Sequence, residues 1–256
     1  MIHPTAIIEE GAQLAGGVQV GPYSLIGPGV SIDSGTRVGP HVVLTGRTRI
    51  GRNNRIFQFC SLGEAPQDKK YSGEDTELVI GDNNTIRENC TFSRGTKQGG
   101  GVTRIGDDNW VMAYSHIAHD CRMGSHNIMA NGATLAGHVT VGDWVIFAGY
   151  SGAHQFCQIG DHAFLGMYGG VSQDVPAYVM VSGQPPRPRG INTEGLRRRG
   201  FGKSQIRNIR EAYKLIYLRS LSREEAIEQL QERLDDQPEL QVMLDSVVGS
   251  SRGLLR

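Results

Sequence analysis

Apolar residues recur at every sixth position along most of the chain. This apolar column runs unbroken over residues 2–62 and, after two interruptions, runs one residue out of phase over residues 105–171. A strict period of six matches neither the period of an amphipathic helix nor the alternation of an ordinary strand. It is typical of a parallel β-helix, in which each six-residue unit forms one flat face and one corner. The interruptions predict loop insertions near residues 64–77 and 94–104.

The coils of such a helix stack like paired strands, about 4.8 Å apart. A coil with three faces would contain about 18 residues, but the period alone fixes neither the number of faces nor the handedness. Glycine often follows the column residue, as at Gly21, Gly39 and Gly51. We expect these glycines to serve the corners, where a positive φ or a close backbone approach is needed.

The composition changes towards the C-terminus. Gly and Pro are frequent over residues 183–190, which predicts a linker, and apolar residues at helical spacing follow it. Ser222 and Glu225 form the capping-box pattern of a helix N-terminus. Three helices are predicted, over residues 204–219, 223–235 and 238–249. The predicted fold is an all-β parallel β-helix of hexapeptide repeats over residues 1–190, followed by a small α-helical C-terminal domain over residues 191–256.

Charge and composition argue against several classes of protein. Lys plus Arg and Asp plus Glu both number 26, so no net charge favours nucleic acid or a membrane surface as a partner. No apolar run approaches the roughly 20 residues that span a bilayer, and no signal-peptide pattern opens the chain. We therefore expect a cytoplasmic protein without stable membrane insertion. Small-residue positions of the repeat hold the cysteines, which are predicted to be reduced core residues: Cys60, Cys90, Cys121 and Cys157.

Several of the histidines fall on one predicted edge of the β-helix. If a coil has about 18 residues, Gly137 lies over His119, and His138 lies over Asp120. The histidines assigned to this edge are His116, His119, His138 and His154. A histidine can take a proton from a hydroxyl group and return it to a leaving group, so the column predicts a cleft lined by imidazoles. The other histidines, predicted to be surface residues, are His3, His41, His126 and His162.

Two other interpretations of these histidines stay open from the residues alone. Exposed corners tolerate polar residues, so the cluster could have no function. Three histidines could also bind Zn with one open position, as hexapeptide-repeat carbonic anhydrases do with two ligands five residues apart. Here His116 and His119 are three residues apart, and no thiolate or carboxylate cluster supports a metal. No metal site is therefore predicted.

Several short motifs occur in order along the chain. They are GE at 63–64, QDKKY at 67–71, IRE at 86–88, RGT at 94–96, HIAHDC at 116–121, ATLAGHV at 133–139, HQF at 154–156, DVP at 174–176 and NTEGLRRRGF at 192–201. Together they resemble the UDP-N-acetylglucosamine O-acyltransferases, which catalyse the first step of lipid A synthesis. The resemblance covers essentially the whole chain. It implies a left-handed β-helix with three faces and a homotrimer with active sites between neighbouring subunits.

The resemblance also implies a reaction. An (R)-3-hydroxyacyl group would pass from acyl carrier protein to the glucosamine 3-hydroxyl of UDP-N-acetylglucosamine. No cofactor is implied beyond the phosphopantetheine arm of acyl carrier protein, which carries the acyl group. By motif, His119 corresponds to the general base and Asp120 to a residue that assists it. The N–H of Gly137 corresponds to the donor for the developing oxyanion, a contribution of roughly 2.7–4 kcal/mol in other enzymes.

The resemblance places further residues against the substrates. Those near the sugar, the acyl group or the loop that reaches them are Asp68, Lys70, His116, His138, Gly149, His154 and Gln155. Those matched to the uridine and phosphates are Asn192, Glu194 and Arg198. Without the resemblance, the charged runs at 68–70 and 197–199 would be solvated turns. A basic face on the next helix is predicted to steer acidic acyl carrier protein, through Lys203, Arg207, Arg210 and Lys214.

Two features depart from the family pattern. The 183–190 linker lacks a histidine that many members carry, which leaves its nucleotide contacts open. Met167 falls where the family measures acyl length, and a residue larger than glycine shortens the groove. We therefore predict a donor of about ten to twelve carbons (C10–C12) rather than fourteen, although Met often only fills a gap.

Other functions remain as alternatives. A related hexapeptide-repeat enzyme could acylate an amine or use acetyl-coenzyme A, and the sugar could be a 3-amino analogue. A zinc hydro-lyase is less favoured. A non-catalytic β-helix would need neither the insertions nor the histidine column. The order of the loops and the 192–201 segment favour the O-acyltransferase.

Overall fold

The computed structural model describes residues 1–256 as a parallel β-helix followed by short helices. The strands are β1 Ile7–Ile8, β2 Gln13–Leu14, β3 Gln19–Val20, β4 Leu25–Ile26, β5 Val30–Ile32, β6 Arg37–Val38, β7 Val43–Leu44, β8 Arg47–Ile50, β9 Arg55–Ile56, β10 Ser61–Glu64, β11 Glu77–Ile80, β12 Thr85–Ile86, β13 Thr91–Ser93, β14 Val102–Ile105, β15 Trp110–Val111, β16 His116–Ile117, β17 Arg122–Met123, β18 Ile128–Met129, β19 Thr134–Leu135, β20 Thr140–Val141, β21 Ile146–Phe147, β22 Gly152–Ala153, β23 Gln158–Ile159, β24 Phe164–Leu165, β25 Gly170–Val171, β26 Val179–Ser182 and β27 Arg187–Ile191. Every third strand joins the same sheet, so three sheets enclose a triangular prism. The predicted left-handed β-helix of hexapeptide repeats with a helical C-terminal region is confirmed.

One coil of the β-helix contains 18 residues. Parallel pairing places His116 beside Thr134, for example, and the same separation recurs in the hydrogen bonds between coils. The sequence separation between stacked residues rises to 30 residues from Asn54 to Asn84, across the first insertion. It is 25 residues from Asn84 to Asn109, across the second insertion. Since each coil contributes one strand to each of three sheets, the number of faces is three.

The apolar column points into the prism as predicted. Its members from Val20 to Val171 are buried, whereas Ile2, Ile8 and Leu14 are partly exposed because no coil covers that end. All four cysteines are free and buried, which confirms them as core residues.

Two different residues at each corner fill the two roles that the sequence analysis assigned to glycine, close backbone approach and a positive φ. Gly21 and Gly39 do not have a positive φ; the left-handed residue lies two places later, at Tyr23 and His41, with φ of 57° and 54°. Gly21 is needed for close approach, because a Cβ there would lie 2.7 Å from the carbonyl carbon of Gly39. The left-handed residue carries a large side chain instead, and the rings of Tyr23 and His41 stack with centroids 5.2 Å apart.

Four α-helices and a 3₁₀ turn follow the β-helix. They are α1 Thr193–Arg198, α2 Lys203–Tyr217, α3 Arg223–Gln231, the 3₁₀ turn Pro238–Leu240 and α4 Gln241–Val248. The three predicted helices are confirmed, and Ser222 and Glu225 form the capping box. α3 is shorter than predicted, and α1 was not predicted. The predicted linker is also partly wrong, because β27 pairs antiparallel with β26.

The β-helix and the helical region share one apolar core. Buried Leu196 and Ile209 belong to the same cluster as the strand residues. The division of domains at residue 190 stays a prediction; β27 ends at Ile191 and α1 begins at Thr193. None of the helices combines the length and apolarity that crossing a bilayer requires.

Candidate active site

A cleft of about 590 Å³ opens at one corner of the prism, beside the first insertion. This corner lies between β19 and β20 and is marked by the left-handed residue His138. The predicted site residues that line the cleft are Asp68, Lys70, His116, His119, Gly137, His138 and Gln155. The coil of 18 residues thus brings distant parts of the chain to one place.

His119 and Asp120 form a hydrogen-bonded dyad in this cleft. Nδ1 of His119 lies 2.8 Å from Oδ2 of Asp120, whose side chain is fully buried. Because an ionised carboxylate only accepts hydrogen bonds, Nδ1 carries the proton. The other ring nitrogen, Nε2, therefore keeps a lone pair that can accept a proton.

Gly137 places a backbone N–H next to this imidazole. A Cβ at Gly137 would lie 2.6 Å from Cε1 and 2.8 Å from Nε2 of His119, so the ring rests on the glycine. The N–H of Gly137 has no acceptor within the chain, while the N–H groups of Ala136 and His138 do. An unpaired donor beside a base is the arrangement that stabilises a developing oxyanion.

Two further histidines face the cleft, and burial lowers the pKa of both. For His138 the carboxylate of Asp120, 3.7 Å from Nε2, opposes this effect in part. For His116 the opposing contribution comes from the backbone of Thr91. The hydroxyl of Thr91 also lies 2.7 Å from Nδ1 of His116. His138 also stacks on Phe156 with centroids 4.4 Å apart. Both rings are therefore favoured in the neutral form, which can donate one hydrogen bond to a substrate.

The first insertion closes one side of the cleft. Arg94 fastens it by donating hydrogen bonds to the carbonyl of Gly63 and the hydroxyl of Tyr71. Within the insertion, the carboxylate of Asp68 accepts from the N–H of Lys70. The turn that results holds both charged side chains at the cleft.

Other predicted site residues lie elsewhere on the chain. Gly149 and Met167 are one coil apart near a second corner, where a Cβ at Gly149 would lie 3.6 Å from the methyl group of Met167. Met167 is 61% exposed. His154 is exposed and does not line the cleft. His154 lies on the predicted edge, one coil after Ala136, but the cleft is lined by only three of the four histidines.

The residues matched to the nucleotide lie at the N-cap of α1 and within this helix. Asn192 is buried and caps this helix, since its Oδ1 accepts from the N–H of Gly195. Glu194 and Arg198 are exposed one turn apart, with Oε1 and Nε at 3.5 Å. These residues are not part of the cleft within one chain, and their nucleotide contacts stay predictions.

His162 is not the surface residue that was predicted. Its ring stacks between Trp144 and Tyr178, and Nδ1 accepts from Arg199 at 2.9 Å. Burial, helped by the charge of Arg199, lowers its pKa to about 4. The prediction was wrong because the six-residue period does not show which corner the helices cover.

Sequence reasoning missed two threonines that bind Asp120. The N–H and the hydroxyl of Thr96 donate to the two carboxylate oxygens, and the hydroxyl of Thr103 accepts from the backbone N–H of Asp120. Thr96 lies in the second insertion, where the repeat is broken and counting by 18 does not apply, whereas Thr103 lies in β14, which pairs with β17 at a separation of 18. The available signal was the RGT motif at 94–96, which carried no assigned role.

His119, Asp120 and His138 also have ligand atoms within 4.8 Å of one another, close enough to share a metal ion. Hydrogen bonds already explain the arrangement, because Oδ2 of Asp120 accepts from both His119 and Thr96. With these two donors directed at one oxygen, the cluster fits a proton-transfer dyad better than a metal site.

Comparison with known proteins defines the class first. Residues 103–137 match a family profile described as bacterial transferase hexapeptide (six repeats). Residues 174–255 match a profile described as Udp N-acetylglucosamine O-acyltransferase, domain 2. The fold and the cleft are thus those of a hexapeptide-repeat transferase.

Full-length relatives identify the family. A curated acyl-[acyl-carrier-protein]--UDP-N-acetylglucosamine O-acyltransferase of Halorhodospira halophila is 56% identical, over 100% of this chain and 99% of the relative. The protein of the same name from Xylella fastidiosa is 53% identical over 100% and 98%. The solved structure of LpxA from Acinetobacter baumannii superposes with a TM-score of 0.97 at 52% identity, over 100% and 99% of the two chains. The chain belongs to the UDP-N-acetylglucosamine O-acyltransferase family and is an acyltransferase.

Proposed function

We propose that this chain transfers an (R)-3-hydroxyacyl group from acyl carrier protein to the 3-hydroxyl of UDP-N-acetylglucosamine. The names of its full-length relatives support both substrates. The observation that carries the mechanism is the contact between His119 and Gly137, which combines a base and a free N–H donor in one cleft. The buried cysteines suit a reducing compartment, so we place the reaction in the cytoplasm.

The proposed reaction uses this geometry in the following steps. Nε2 of His119 takes the proton of the sugar hydroxyl, and the oxygen attacks the thioester carbonyl carbon. The N–H of Gly137 donates to the oxyanion of the tetrahedral intermediate, while Asp120 stabilises the imidazolium. When the intermediate collapses, the carbon–sulfur bond breaks and the phosphopantetheine thiolate takes the proton from His119. The products are the 3-O-acyl sugar nucleotide and free acyl carrier protein.

His119→Ala tests this mechanism. The variant should lose roughly a thousandfold in kcat, as expected for removal of a general base, with its oligomeric state unchanged. His41→Ala is the matched control, because His41 is an exposed corner histidine on the same β-helix. Turnover close to that of the wild type in His119→Ala would reject the base assignment.

We also propose a homotrimer. The residues matched to substrate lie at different corners of one prism, around His138, around Gly149 and around Asn192. Three prisms packed side by side would bring unlike corners together. An outward-facing apolar stripe on one sheet offers a surface for such packing: Trp110, Ile128, Ile146, Phe164 and Met180.

Met167 is proposed to set the acyl length at about ten to twelve carbons. Its exposed side chain projects beside Gly149, at the corner that precedes the sheet of His116. Met167→Gly should shift the preference of the enzyme towards a fourteen-carbon donor, measured by mass spectrometry of the product from mixed acyl donors. A wild-type enzyme that already prefers the fourteen-carbon donor would contradict the assignment.

The basic face of α2 is proposed to steer acyl carrier protein. Lys203 and Arg207 are exposed, whereas Lys214 pairs with Glu211 at 2.7 Å. A Lys203→Glu, Arg207→Glu variant should raise KM for the acyl carrier protein substrate and leave KM for the nucleotide unchanged. Arg122→Glu, on an exposed strand position of β17, is the control for a general charge effect. An unchanged donor KM in the double variant would count against the steering role.

Two assays separate the alternatives. Competition between acyl carrier protein and coenzyme A donors, and between hydroxyl and 3-amino sugars, distinguishes the related acyltransferases. Metal analysis of active protein tests the zinc hydro-lyase, for which stoichiometric zinc is expected.

A further inference from the structure

The second insertion interrupts the repeat beside Asp120. It contains the 3₁₀ turn Lys97–Gly99, and Thr96 is the N-cap of that turn. The N–H of Thr96 lies 2.8 Å from Oδ1 of Asp120, and its Oγ1 lies 2.6 Å from Oδ2. The same hydroxyl accepts from the N–H of Gly99 at 3.2 Å. One residue of the insertion therefore binds both oxygens of the carboxylate.

Gly99 covers the same carboxylate. A Cβ at Gly99 would overlap the carboxyl group of Asp120. The φ of Gly99 is not positive, so this position needs glycine for space and not for backbone conformation. Several corner residues are open to solvent, such as Tyr114 at 69% and Tyr150 at 61%, whereas Asp120 is at 5%. The insertion accounts for this difference.

We propose that the second insertion is a clamp for the catalytic carboxylate, in which Thr96 is a positioning residue and Gly99 provides the space. This inference rests on the proposed role of His119 as the base. Three donors surround the carboxylate: the N–H and hydroxyl of Thr96 and the Nδ1–H of His119. They hold Oδ2 towards the imidazole, which fixes the ring plane and directs Nε2 into the cleft.

Other charged or titratable groups also face the dyad. Nε2 of His138 lies 3.7 Å from Oδ2 of Asp120, and the cleft is further lined by His116, Asp68 and Lys70. None of these side chains hydrogen-bonds to Thr96. A substitution of Thr96 therefore changes the clamp and leaves these groups in place.

Thr96→Val tests the clamp, since it removes the hydroxyl and keeps the N–H. We expect kcat to fall about tenfold, the effect of one hydrogen bond to a charged group, with both KM values unchanged. The acid limb of the kcat/KM profile should move to higher pH, on the order of half a unit, because Oδ2 then interacts more strongly with the imidazolium. Thr96→Ser, which keeps a hydroxyl group, should have the kcat and the pH profile of the wild type. Thr140→Val, on an exposed position of β20, is the matched control.

A double-mutant cycle separates positioning from general damage to the fold. In an Asp120→Ala background, Thr96→Val should cause no further loss of kcat, because the clamp then holds nothing. Gly99→Ala should reproduce the loss, whereas Gly16→Ala, where a Cβ meets open space, should not. Additive losses in the cycle, or a Thr96→Val enzyme with the kcat and pH profile of the wild type, would overturn the proposal.

Failure of the proposed function would give a different result. In that case the wild type would show no acyl transfer, or His119→Ala would retain turnover. Loss of turnover in His119→Ala together with an unaffected Thr96→Val would reject the clamp alone.

Discussion

Left-handed corner residues help to build the candidate site at the scale of single side chains. Asp120, His138 and Phe156 occupy equivalent corners of successive coils, with φ of 60°, 63° and 67°. A left-handed residue with a side chain costs roughly 1–2 kcal/mol, and stacking such as that of His138 on Phe156 offsets part of this. The conformation turns the side chains outward in register, so a carboxylate and two rings come to lie along one edge.

The contact between Gly137 and His119 leads to a prediction at this scale. In Gly137→Ala the new Cβ would fall 2.6 Å from Cε1 of His119, so the ring must move. A displacement on the order of 1 Å in a catalytic group costs about a hundredfold in rate. Single-turnover rates with saturating substrates should fall by about this factor, while circular dichroism stays unchanged. A variant with the single-turnover rate of the wild type would show that the base does not need the glycine.

Two contacts between elements join the β-helix to the C-terminal helical region. His162, from the corner after β23, lies between Trp144 and Tyr178 and meets the edge of Phe201 at a centroid distance of 5.2 Å. Asp174 accepts from the hydroxyl of Ser250 at 2.7 Å and from two backbone N–H groups after it. The His162 contact joins the start of the helical region to the β-helix, and the Asp174 contact joins the C-terminal segment after α4.

The His162 contact predicts a dependence of stability on pH. The pKa of His162 is lowered to about 4 from an ordinary value of 6.5, so protonation is disfavoured in the folded state. Neutral His162 contributes fully to the free energy of unfolding above pH 6.5. This contribution is lost as the pH falls from 6.5 towards 4. The Tm of the wild type should therefore fall over this window relative to that of His162→Phe, which keeps the stacking. Parallel Tm curves for the two proteins between pH 7 and pH 4 would contradict this.

The Asp174 contact predicts a loss of stability without a loss of chemistry. Asp174→Ala removes a carboxylate that is 2% exposed and leaves its donors without a partner. The cost should be about 2 kcal/mol, because buried donors lose their acceptor, measured by urea unfolding at fixed protomer concentration. Asp33→Ala, which changes an exposed aspartate, is the control. Equal unfolding midpoints for the two variants would show that the hydrogen bonds of Asp174 do not stabilise the fold.

At the scale of the whole molecule, the residues that family motifs match to the substrates lie at more than one corner of the prism. The cleft belongs to the corner of His138, while Glu194 and Arg198 lie on α1, outside the cleft. A prism cannot fold these corners onto each other, because its sheets are rigid and its core is continuous. If both sets of residues contact the same substrate, the site requires a second copy of the chain, which the proposed homotrimer would supply.

Mixed oligomers test this arrangement. His119→Ala and Arg198→Glu chains should each be inactive alone. If one subunit supplies the base and its neighbour supplies Arg198, a random equal mixture in a trimer should recover about a quarter of the sites. No recovery after mixing, with trimers shown by light scattering, would place both residues in the same subunit's site.

The sequence by itself determined the six-residue repeat and the inward-facing apolar column, because one position of each face must fill the core, and helical spacing determined the tail. The stacking of Gly137 over His119 required a coil of 18 residues, and the parallel pairing of the strands supplied that length. Local resemblance of motifs was enough to indicate the family. Only the tertiary structure decided the hydrogen bonds of Thr96 to Asp120 and the packing of half-buried His162 against Phe201 and Arg199. Both depend on segments outside the repeat, an insertion and a helix, whose positions are set by packing against coils distant in the chain and not by any period within it.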